Sequence, residues 1–132
     1  MRLWHQCLIE LLPRQQLLGQ HRECTALKGK GWGRKHSVVN YVFNYPFNYL
    51  HQYHLIVMQE MENRGYKPDG VWKDPTYRGK ILGFEESQFT SEAKVQSLDC
   101  IYPEHNDDYL EECLSNLRGK GVIIDYHARR EQ

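Results

Sequence analysis

Apolar residues recur at helical spacing in three stretches of the 132-residue chain. In the first, Pro13 suits an opening turn, Leu17, His21, Cys24 and Leu27 share one face with Leu18 flanking it, and "GKGWG" ends the run. In the second, Pro46 starts a helix, Leu50, His54, Val57, Met58 and Met61 repeat along it, and Gly65 closes it; this is the expected central core helix. In the third, Asn106 or Asp107 can cap and acidic residues occupy the first turn. Tyr109, Leu110, Cys113, Leu114 and Leu117 then line one side until Gly119 or Gly121. "SVVNYVFNYPFNYL" reads equally as strand or buried helix. The turn-rich stretch from Tyr66 to Tyr102 predicts a short helix around "TSEAKVQSL", with Trp72, Tyr77, Ile81, Leu82 and Phe84 packing across the helices. The pattern therefore predicts an all-α fold: one compact domain over residues 1–132, with about three main helices and long irregular connections.

Polar residues in the first helix form a strip of their own. Glu23 stacks one turn from Gln20 and Gly19 and two turns from Gln16, while Arg22 points farther from the core. A glycine inside a helix costs about 1 kcal/mol relative to alanine. Gly19 either leaves a hollow beside the Glu23 carboxylate or lets another helix pack closely.

Composition narrows the class. Apolar residues make up 40% and charged residues 26%, ordinary for a globular protein with one core. No run of 18 apolar residues exists, and the opening "MRLWHQCLIELLPRQQ" has no cleavage-site pattern, so a cytoplasmic protein without membrane contact is expected. The net charge of zero hides a polarity: residues 1–36 hold seven basic and two acidic residues, whereas residues 81–132 hold five basic and eleven acidic. That asymmetry fits one face aimed at a polyanion, or simply two solvated helix faces. Cys7, Cys24, Cys100 and Cys113 form no C-x-x-C pair and read as reduced thiols packed as small hydrophobes. His51 and His54 lack a recognisable third metal ligand and read as packing or surface residues.

"PRQQLLGQHRE", followed by "GWGRKH", "YRGK" at 77–80 and "PEHNDDYLEECL" at 103–114, resembles the pyrimidine-dimer DNA glycosylase family, the group of the small phage endonuclease V, and especially bacterial members opening with "MRLWH". The resemblance implies a compact all-α enzyme that removes a damaged base and then cuts the DNA backbone. It implies a nucleophile at the amino group of the first residue, here Met1, and an assisting glutamate in an Arg-Glu pair, here Arg22 and Glu23. It further implies DNA contacts at Arg2, Arg22, Gln15, Gln16 and the basic stretch Arg34, Lys35 and His36. The phage member carries another arginine shortly after the pair; this chain has Ala26 there, so that phosphate contact is either absent or moved to Lys28 or Lys30. Its tail is rich in aromatics, of which this chain has Tyr126 alone.

An α-amino group has a reference pKa of about 7.7–8.0 against about 10.4 for lysine, so it can be a nucleophile near neutral pH. Attack at the sugar's anomeric carbon displaces the base and leads to a Schiff base between enzyme and DNA. A carboxylate beside it can stabilise the oxocarbenium-like charge and move protons during ring opening and β-elimination. The expected partner is double-stranded damaged DNA carrying a pyrimidine dimer or an abasic site, with no metal or organic cofactor and a monomeric protein. Two other readings stand beside this one: a non-catalytic DNA-binding module of the same fold, and an interaction domain using its acidic last helix. On residues alone, Glu23 reads rather as the partner of a neighbouring Lys or Arg on a solvated helix.

Overall fold

Three α-helices dominate a computed structural model of the protein, in which residues 2–33, 39–85 and 100–127 are described. Helix α1 runs Arg14–Lys28, α2 Phe47–Asn63 and α3 Asp107–Gly119. Their ends fall where local chemistry puts them. Pro13 and Pro46 precede α1 and α2, the Asn106 side chain caps α3 by accepting from the Tyr109 amide at 2.9 Å, and Gly65 reverses the chain after α2 at φ 88°. No strand occurs among the described residues, and the all-α expectation holds.

The ambiguous aromatic stretch resolves into a 3-10 turn, Asn40–Asn44, leading into α2. Two further 3-10 turns, Gln6–Leu11 and Gly70–Lys73, carry no helical periodicity long enough to be read beforehand. Arg64, just past α2, holds the end of the first of these by donating to the Leu12 and Glu10 carbonyls at 2.7 and 3.1 Å. The helix expected around residues 90–98 lies outside the described residues, as do Met1, Arg34, Lys35 and His36.

α1 packs against α2 around a core that joins Leu17, Cys24 and Leu27 to Leu50, Tyr53, Val57 and Met61. Leu110, Cys113, Leu114 and Leu117 close it from α3, and Leu3, Leu8, Ile9 and Leu12 from the amino-terminal segment. All four cysteines are free thiols, three of them buried. Tyr126 belongs to this core at 8% exposure, so it does not stand in for an aromatic DNA-binding tail.

Two expectations about apolar and basic residues are corrected. Trp72 and Tyr77 pack edge to face at 4.7 Å, but Ile81 and Phe84 are 75% and 60% exposed and do not pack across the helices. Lys28, offered as a phosphate contact, is fully buried, with its Nζ 2.9 Å from His51 Nδ1. It follows Leu17 by eleven residues, three helical turns, and so shares the apolar face.

His51 and His54 are buried in the same polar seam. His54 Nε2 meets His21 Nδ1 at 2.8 Å, and burial holds all three histidines below their ordinary pKa, His51 at about 4.

Candidate active site

The polar strip of α1 forms the wall of a groove of about 660 Å³, lined by Gln15, Gln16, Gly19, Gln20, Arg22, Glu23 and Ala26. Arg2 and Trp4 from the amino-terminal segment and Asn116 and Lys120 from the end of α3 complete it. The structure thus brings together five expected site residues: Arg2, Gln15, Gln16, Arg22 and Glu23. Glu23 is only 5% exposed, which rules out the solvated surface pair. Burying a carboxylate is costly, so its position demands a structural or chemical return.

Gly19 opens this groove rather than a helix contact. A Cβ placed there would meet only the tip of the Arg22 side chain, at 3.7 Å. Alanine would therefore fit, and Gly19 lines the same groove as Glu23.

Beside α1 the segment of residues 2–4 is held by its backbone. Gln20, 2% exposed, donates from Nε2 to the Arg2 carbonyl at 3.0 Å and accepts at Oε1 from the Trp4 amide at 2.6 Å, as a neighbouring strand would. The Tyr53 hydroxyl of α2 donates to the Trp4 carbonyl at 2.6 Å and shares its proton with Gln20 Oε1 at 2.7 Å. The Tyr109 hydroxyl of α3 donates to the Leu3 carbonyl at 2.6 Å. Each helix thus contributes one side chain, and all three carbonyls from Arg2 to Trp4 are taken. Burial pushes both tyrosines far above their ordinary pKa, keeping them as neutral donors.

The "PEHNDDY" motif serves the same segment. His105 Nδ1 accepts from the Gln6 amide at 3.0 Å, which leaves the proton on Nε2 to be donated to the Tyr41 hydroxyl at 2.8 Å. Burial drops its pKa to about 3, so the ring is neutral, and it stacks against both His5 and Tyr109 at 5.4 and 5.1 Å.

Among the described residues, the groove sets one carboxylate, Glu23, among three cations, Arg2, Arg22 and Lys120. Arg2 is paired with Glu112 at 3.2 Å, but Glu112 is largely exposed, and an exposed pair of this kind is worth about 0–1 kcal/mol. A phosphate could displace it. Of the two relocations offered for the missing arginine, only Lys30 is exposed.

Asn116, Lys120, Gln20 and Trp4 were not among the expected site residues. Only Gln20 carried a signal, its place on the Glu23 strip. Elsewhere, His5, Cys7 and Cys100 bring one potential metal-ligand atom each within 4.8 Å of one another, although His5 Nδ1 already accepts from the Cys7 amide at 3.1 Å.

No curated protein and no solved structure matches the chain. A family profile described as pyrimidine dimer DNA glycosylase does match, over residues 1–74. That span contains α1, α2, the gripped segment and every groove residue except Asn116 and Lys120. With more than half of the chain matched, the protein belongs to the pyrimidine dimer DNA glycosylase family.

Proposed function

We propose that this glycosylase also has abasic-site lyase activity, with the α-amino group of Met1 as nucleophile and Glu23 as its assisting carboxylate. The observation that carries this reading is the juxtaposition of a nearly buried Glu23 with the hydrogen-bonded segment 2–4 along one cationic groove. Met1 is covalently joined to Arg2, whose carbonyl Gln20 holds.

The unprotonated amine attacks C1′ of the damaged nucleotide, and the base leaves with the electrons of the glycosidic bond and a proton. Opening of the C1′–O4′ bond, with protonation of O4′, yields the imine. Removal of a C2′ proton then drives β-elimination: the C3′–O3′ bond breaks and the 3′ phosphate departs. Water hydrolyses the imine and frees the enzyme. Glu23 offsets the positive charge that develops on the sugar and relays protons at O4′ and C2′. A carboxylate in a phosphate-binding groove weakens ground-state binding, so its value lies in the reaction. Arg2, Arg22 and Lys120, with Arg34, Lys35 and His36, hold the flanking phosphates; Gln15 and Gln16 face sugars or bases.

Tag-free protein is incubated with duplexes carrying an abasic site or a thymine dimer and then reduced with borohydride. A covalent protein–DNA band that disappears on blocking the Met1 amine and falls strongly in Glu23→Gln is expected. DNA binding without any band would leave a non-catalytic binding module instead.

A further inference from the structure

Residues 77–84 form a tight turn that presents apolar side chains to solvent. Among the described residues the large hydrophobics that stand exposed are Ile81, Phe84 and Ile123, and the first two belong to this turn. The turn is built to hold its shape. Tyr77 and Phe84 bridge antiparallel, Arg78 N donates to Gly83 O and Gly83 N to Gly79 O, both at 2.7 Å, and Gly79 and Gly83 supply the positive φ the reversal needs.

Its root is fixed to α1. Arg78 is buried, its Nε donates to the Lys28 carbonyl at 2.5 Å, and its guanidinium lies 4.8 Å over the Phe47 ring and 3.1 Å from Glu85. Arg78 thereby caps the carboxyl end of the helix that carries Glu23. Gly29 permits this approach, because a Cβ there would stand 3.2 Å from the Arg78 carbonyl oxygen.

Between turn and helix lies a second groove of about 460 Å³, and its charged lining residues are all cationic: Lys30, Arg78 and Lys80. It shares Ala26 with the Glu23 groove. Ala26 is three residues from Glu23, about 4.5 Å along the helix. A duplex engaged at Glu23 and running toward the carboxyl end of α1 would pass this turn.

We propose that the 77–84 turn is a second DNA contact: Ile81 wedges against the base steps beside the lesion while Lys30 and Lys80 take the flanking phosphates. Apolar side chains on a rigid support unstack a base step at a cost of a few kcal/mol and kink the duplex. Such unstacking is what access to C1′ requires. The proposal rests on the reading of the Glu23 groove given above.

The test compares wild type, Ile81→Ala and Phe84→Ala on a duplex with an abasic site and on the same abasic strand unpaired, by borohydride trapping. A 2-aminopurine next to the lesion reports unstacking, and thermal melting controls for folding. Ile81→Ala is expected to trap the duplex about tenfold more slowly, to lose the 2-aminopurine rise, and to keep wild-type melting and single-strand trapping. Duplex trapping and fluorescence at wild-type levels in Ile81→Ala would overturn the wedge. So would an equal loss on both substrates. Should wild type trap neither substrate, the enzyme reading fails separately, and the wedge is then decided by fluorescence on binding: a rise lost in Ile81→Ala supports it, and no rise in wild type overturns it.

Discussion

Glu23 and Lys28 lie five residues apart on α1, both nearly or fully buried, yet they sit in opposite kinds of surroundings. Glu23 borders a groove that Gly19 keeps open and cations line, whereas Lys28 is sealed between α1, α2 and Trp72. Burial drops the Lys28 pKa to about 7, and its amine hydrogen-bonds to His51 Nδ1. Burial alone therefore does not mark function. An ionisable group next to accessible space can act on a ligand, while one closed off from it acts on stability.

Glu23→Gln is the strongest probe of that contrast. Trapping should slow by about 10²–10⁴-fold, with melting little changed, as measured by single-turnover assays beside calorimetry. Gln20→Ala should fall on both sides of the divide. It leaves the Trp4 amide and Arg2 carbonyl without their partner, each costing about 1–3 kcal/mol if buried, and loosening the segment should slow trapping on the order of 10²-fold.

Lys28→Met should change stability and its pH profile while leaving trapping per folded molecule intact. Between pH 7 and 10.5 the unfolded chain keeps the lysine proton and the folded chain has lost it. Stability therefore rises with pH across that window, by at most about 1.4 kcal/mol per unit, and the substitution should flatten the rise in denaturant titrations. His51 and His105 act in the same sense at lower pH. Their folded values of about 4 and 3 lie below the ordinary 6.5, so stability falls as acidification proceeds from 6.5 toward those values.

Gly19→Ala should raise stability by about 0.5–1 kcal/mol and slow trapping, because the methyl enters the hollow beside Glu23; an unchanged rate would show that the hollow is not used. The smallest effect belongs to exposed Arg22. Arg22→Ala should shift stability by less than about 0.5 kcal/mol and reduce the salt-dependence slope of DNA binding by about 0.9.

What sequence could reveal follows from where each contact originates. Gln16, Gly19, Gln20 and Glu23 share one strip because helical geometry is local, and that strip is the groove wall. The same periodicity places Lys28 beside Leu17 on the buried face, although its charge groups it with the basic residues of positions 1–36. Tyr53, Tyr109, Asn116 and Lys120 reach the amino-terminal segment or the groove from other helices, and no local spacing encodes that. Ile81 and Phe84 were expected inside because they are apolar; the glycine-bracketed turn holds them outside.

The grip on residues 2–4 also sets an order in time. These residues are synthesised before every side chain that holds them, and the holders follow in chain order: Gln20, Tyr53 and then Tyr109, which is 106 residues beyond Leu3. A nascent chain released before α3 is made leaves the Leu3 carbonyl without its donor and the groove without Asn116 and Lys120. The groove is thus complete only once α3 is in place.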